Sequence, residues 1–135
     1  MTFIDLYGRY KISTSATAEY YINTGTRVFG QDVKPRDESE KQSVRDLWES
    51  RREGLELIEL ELSADTLSMS NGEDKEEYAV KFSSSGKAIH LAVDWYGDEV
   101  NFEIQKMGEN LIFFKGLWAE ENVEHTLSEA VWEKK

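Results

Sequence analysis

His90 and His125 are the only two histidines in this 135-residue chain, which has no cysteine. Thiolate chemistry and disulfides are therefore excluded. A Ser–His–acid arrangement would have to use one of those histidines, but neither lies near a G-x-S-x-G turn. Ser83-Ser84-Ser85-Gly86 has the composition of a hairpin loop instead. His90 shares its parity with Ala92 and Asp94, the polar-leaning side of its segment, where a solvent-facing histidine is the ordinary outcome. Histidines 35 residues apart with no thiol partner do not make a structural zinc site. Glu73, Asp74, Glu76 and Glu77 lack the spacing and closing glutamate of a calcium loop, and read as a solvated turn. Gly25 and Gly30 stand alone rather than in a phosphate-cradling loop. Asp94, beside Trp95 and Tyr96, is the one acid set among aromatics that a paired-carboxylate mechanism could use. The expectation is a non-enzymatic protein with no catalytic residue, no metal and no cofactor.

Two constellations suit binding. Tyr10, Tyr78, Phe82, Trp95 and Phe102 fall on the inward parity of their segments, where they either fill a core or line a small-molecule cavity. Trp48, on a neighbouring helix, would then act as a lid over the open end. The second constellation is acidic: residues 73–77, then Asp94, Asp98 and Glu99, then Glu120, Glu121 and Glu124. With Trp95 and Trp118 among them, these carboxylates would suit capture of a basic protein face. The net charge of −11 supports this and is uneven, since residues 1–35 hold four basic and three acidic side chains. The remainder carries −12. Such a field repels nucleic acid and anionic membranes, and it also serves simply to keep a domain soluble.

The elements that must position these groups follow from periodicity. Ile4, Leu6, Gly8, Tyr10 and Ile12 alternate with Asp5, Arg9 and Lys11, which predicts a strand with one buried face. Residues 13–30 have no clear period; Tyr20-Tyr21-Ile22 and Arg27-Val28-Phe29 are read as a short hairpin around 23–26. The helix at about 38–53 is plainer. Asp37 is placed to cap it with Glu40 three residues on, Arg51 and Arg52 occupy its last turn, and Gly54 stands where a left-handed cap would go. Only Val44, Leu47 and Trp48 form its apolar stripe, so it should lie across a surface.

After Leu55, alternation continues through Ile58-Leu60-Leu62, Leu67-Met69, Tyr78-Val80-Phe82, Ile89-Leu91-Val93-Trp95 and Val100-Phe102-Ile104. Further extended pieces are expected at 110–115 and 129–133. The count is eight or nine strands joined by turns, a mainly β, antiparallel up-and-down barrel over a single domain, 1–135. A flat sheet of that size would leave open edges, which closure removes. A five-stranded sheet wrapped on one helix, as in cystatin-type folds, is the alternative, and it has too few strands.

Leu6-Tyr7-Gly8-Arg9-Tyr10 resembles the early G-x-W signature of the lipocalin-like (calycin) barrels, with Tyr10 in place of Trp. The run from Leu60-Glu61-Leu62 through Asp65–Met69 to Tyr78-Ala79-Val80 resembles short bacterial lipocalin-like domains. The likeness spans about two thirds of the chain and implies the barrel. In that family a basic residue near the barrel's end packs over the signature aromatic, and here the last strand offers only Lys134 and Lys135. The early helix also departs from the family, where it follows the barrel.

The longest apolar run, Leu111–Phe114, is far short of the roughly 20 residues that span a bilayer. No basic n-region opens the chain, so a cytoplasmic location is expected. The leading functional expectation is an acidic interaction or inhibitor module of the immunity type, acting on a basic protein. Glu73, Asp74, Glu76, Glu77, Asp98, Glu99, Trp118, Glu120 and Glu121 would make its contact face. The second is a carrier of a small apolar or amphipathic ligand inside the barrel. Oligomeric state is not legible.

Overall fold

The computed structural model describes residues 3–28, 31–117 and 126–135. A 3-10 turn, Ile4–Leu6, leads into β1 (Gly8–Ile12). Then come α1 (Thr14–Thr24), β2 (Thr26–Val28), β3 (Gln31–Val33), α2 (Glu38–Ser50) and the short α3 (Arg52–Leu55). The rest is strand: β4 (Glu59–Leu62), β5 (Thr66–Ser70), β6 (Lys75–Ser85), β7 (Ala88–Trp95), β8 (Asp98–Lys106) and β9 (Leu111–Gly116). A second 3-10 turn, Thr126–Ser128, precedes β10 (Trp132–Lys134).

Eight of these strands close an antiparallel barrel in the order β1-β10-β9-β8-β7-β6-β5-β4, while β2 and β3 pair separately. The register explains why it closes. Leu62 faces Leu67, Leu67 faces Tyr78, Val80 faces Val93, Leu91 faces Phe102, and Ile104 faces Phe114. Trp132 faces both Ile112 and Ile12, and Tyr10 faces Leu60. Along these pairs inward residues meet inward residues, and a slip of one position would turn a whole set outward. Pairing of β1 with both β4 and β10 removes the edges and rules out the cystatin-type sheet.

The inside is packed. Leu60, Leu67, Leu91, Val93, Phe102, Phe114, Leu127 and Trp132 have 0 % relative exposure. A void between them large enough for water would leave accessible surface on its walls, so the centre around these side chains is solid. The indole nitrogen of Trp132 donates to Leu127 O at 3.1 Å, which satisfies the one polar atom of the largest core residue. At the end entered by β1, Tyr10 Oη donates to Leu6 O at 2.7 Å and ties the 3-10 turn across the barrel.

Two expectations are corrected. Residues 14–24 form a helix rather than half of a hairpin, and strand pairing comes later, between 26–28 and 31–33. Ser13 caps α1 by accepting from Ala16 N at 3.2 Å, and Gly25 ends it at φ 92°. Its buried face is Thr17, Ala18 and Ile22. Thr17 makes that face possible: its hydroxyl donates to Ser13 O at 2.7 Å and accepts from Val131 N at 2.9 Å. A polar residue thus occupies a core position, which hides the helical period. The second correction concerns the expected helix over 38–53. It stops at Ser50 and resumes as α3, and Gly54 lies within α3 and not in the left-handed region. The start is as expected, with Asp37 Oδ1 accepting from Glu40 N at 2.9 Å. Among the described residues no helix is long and apolar enough to cross a membrane.

Candidate functional site

Strand pairing joins two of the three acidic stretches. β6 begins directly after the turn bearing Glu73 and Asp74, and β7 pairs with β6 and ends beside the Tyr96-Gly97 turn. Asn71 shapes the first turn, its Oδ1 accepting from Glu73 N at 3.3 Å and Asp74 N at 2.9 Å. Asp94 shapes the second by accepting from Gly97 N at 3.0 Å. That bond gives Asp94 a structural task in holding the turn. Tyr96 is left at φ 54°, a left-handed conformation rare for a bulky residue, with 75 % of its surface exposed.

These turns frame an aromatic trio. Tyr78 and Trp95 stack with centroids 4.5 Å apart at 9°. Tyr96 stands edge-on to both, at 5.8 Å and 86° from Tyr78 and at 6.1 Å and 89° from Trp95. Glu76 accepts from the Tyr78 hydroxyl through Oε2 and from the Tyr96 hydroxyl through Oε1 at 3.4 Å. Burial, and then the bond to Glu76, holds the Tyr78 hydroxyl far above the usual tyrosine pKa, so it remains a neutral donor.

On the outer face of β6 and β7 beside this trio lies a depression of about 450 Å³. Its floor is Ala79 and Ala92, whose small side chains leave the space, and Asp94, Glu99 and Lys81 stand around it. Asp94 and Glu99 are direct cross-strand partners. Like charges so placed repel one another, and a cation between them would relieve that repulsion.

The anticipated residues fall into separate groups. Tyr10 and Phe102 lie in the packed barrel centre, and Tyr78 with Trp95 in the trio. Phe82 packs toward the other end, 5.7 Å from both Phe3 and Tyr7. Trp48 does not join them. It stacks on Tyr21 of α1 at 5.6 Å and 5°, so the expected lid is instead part of a helix pair outside the barrel. Glu73, Asp74, Glu76, Glu77, Asp98 and Glu99 are exposed along one stretch of the rim. Trp118, Glu120 and Glu121, with Glu124 and His125, lie outside the described residues. Tyr96 was not among the anticipated contact residues, and its turn position beside Gly97 was the only available sign. Among the described residues no group of three potential ligands could hold a metal ion. Comparison with known protein families, curated proteins and solved structures finds no match for this chain.

Proposed function

We propose that this chain is a non-enzymatic binding protein, of the inhibitor or immunity type, whose acidic rim engages a basic protein. The observation that carries the reading is the depression on β6 and β7, where Asp94 and Glu99 face each other over an alanine floor. A lysine or arginine of the partner would lie between these carboxylates, near Lys81, and Tyr96 on the following turn offers a further exposed, cation-accepting ring at the rim. The surrounding carboxylates accelerate encounter with a cationic surface.

This reading is favoured over a carrier of a ligand inside the barrel because the central side chains are packed against one another. A lipocalin-like kinship, as a matter of architecture, draws support from the barrel's entry. The 3-10 turn precedes Gly8-Arg9-Tyr10, and Lys134 of the last strand donates to Asp5 O at 2.9 Å. A basic side chain at this end of the last strand is in keeping with that resemblance.

The test is affinity capture from cells of the native host with the wild-type chain and an Asp94→Lys/Glu99→Lys variant. A variant reversed at Glu38 and Glu40 on α2 serves as the control. The expected partner is basic, is lost by the rim variant and kept by the control. It should also dissociate when salt is raised from about 0.05 to about 0.5 M. A partner that is acidic, or that the rim variant retains, would overturn the proposal.

A further inference from the structure

A second concave surface lies apart from the rim. α1 and α2 pack beside the barrel wall and leave an open groove of about 700 Å³ between themselves and β9. Its walls are Tyr20, Tyr21, Val44, Leu47, Trp48 and Phe113. Tyr20 packs on Phe113 at 4.3 Å, and the Tyr21–Trp48 stack holds the helices together. α2 buries no residue completely, and Leu47 on its apolar stripe stays 48 % exposed. The stripe is therefore only partly used by α1, and apolar surface remains that a ligand could remove from water at about 25 cal/mol per Å².

The charges on the groove differ from those of the molecule. In a chain of net charge −11, two cations border it, Arg51 and Lys115. The adjacent Arg52 is held by Glu49 at 3.1 Å and Glu56 at 2.9 Å. Arg51 instead lies 5.2 Å over the Trp48 ring. Among the described residues neither Arg51 nor Lys115 has a carboxylate within ion-pairing distance. Among the described residues Glu129 is the one acid lining the groove, and its backbone oxygen accepts from Tyr21 Oη at 2.7 Å.

We infer that this groove binds a small amphipathic anion: an aromatic or short acyl body carrying one carboxylate or sulfonate. The body lies against Val44, Leu47 and Phe113, and the acid group meets Arg51 and Lys115. The size lies within the roughly 300–1,000 Å³ typical of small-molecule sites, and the apolar walls with a few charged groups match their usual make-up. The site is independent of the acidic rim, and either can fail without the other.

The probe is 1-anilinonaphthalene-8-sulfonate, with uncharged N-phenyl-1-naphthylamine beside it. Fluorescence titration of the full chain should give saturable binding of the sulfonate at one site. Arg51→Gln and Lys115→Gln should each weaken the sulfonate about fivefold, the size of one exposed charge contact, and leave the uncharged probe within about twofold. Val44→Glu should weaken both at least about tenfold. In a ¹H–¹⁵N spectrum the Trp48 indole resonance, assigned with Trp48→Phe, should move while that of Trp132 stays. Thermal melts confirm that each variant folds; should Val44→Glu not fold, the two glutamine variants still decide through their contrast between probes. Unsaturable binding overturns the inference, as do equal effects on both probes, movement of Trp132 instead of Trp48, or a dimer that Val44→Glu disperses.

Discussion

Tyr10→Phe separates what the Tyr10 hydroxyl does for the barrel from what its ring does. The ring is 1 % exposed and stays in the variant, whereas the hydroxyl's bond to Leu6 O at 2.7 Å is lost. Loss of one neutral buried hydrogen bond costs about 1–1.5 kcal/mol, so the variant should be less stable by that amount at pH 7. Burial also pushes the Tyr10 pKa up to about 12. An unfolded tyrosine titrates at about 10, so the unfolded chain sheds this proton first and the native state pays for keeping it. The sign follows: the Tyr10 contribution is complete below about pH 10 and declines as pH rises towards 12. At pH 11 the wild type should have lost roughly 1.4 kcal/mol through this group, while the variant has no group there to titrate. The gap of about 1–1.5 kcal/mol at pH 7 should therefore shrink to near zero at pH 11. Urea unfolding of both proteins at the two pH values measures it, and the other tyrosines cancel in the difference. An unchanged gap would refute the claim that burial holds the Tyr10 hydroxyl in its neutral form.

Trp132→Ala removes the largest fully buried side chain and its bond to Leu127 O; denaturant unfolding should register a loss of about 3–5 kcal/mol. Thr17→Val keeps the shape but strips the acceptor from Val131 N, 2.9 Å away, so about 1–3 kcal/mol should be lost. Hydrogen exchange should then quicken in α1 and at Val131, while exchange in β6 and β7 tracks only the global change.

Much of the barrel was readable residue by residue. Leu60 and Leu62, Tyr78, Val80 and Phe82, and Leu91, Val93 and Trp95 alternate with polar or small neighbours because each strand has one face inside and one outside. The start of α2 was equally plain, since Asp37 and Glu40 act within one turn. α1 was not, because Tyr20, Tyr21 and Ile22 have strand-like character, and Thr17 sits where an apolar residue would have marked the period. The helix is fixed to Val131, 114 residues away, and no local window contains that bond. The candidate sites divide in the same way. The acidic turns and the inward aromatics could be named individually, but the union of Glu76 with Tyr96 depends on the β6–β7 register.

Alternation, caps and turn residues are local properties, written in neighbours a few positions apart, and from them come the strands, their buried faces and the acidic character of the chain. The register of each strand pair, the docking of the helices outside the barrel and the meeting of Asp94 with Glu99 came only with the folded chain. Each depends on packing and pairing energies summed over residues distant in sequence, so neither the rim nor the groove beside Trp48 exists until those contacts form together.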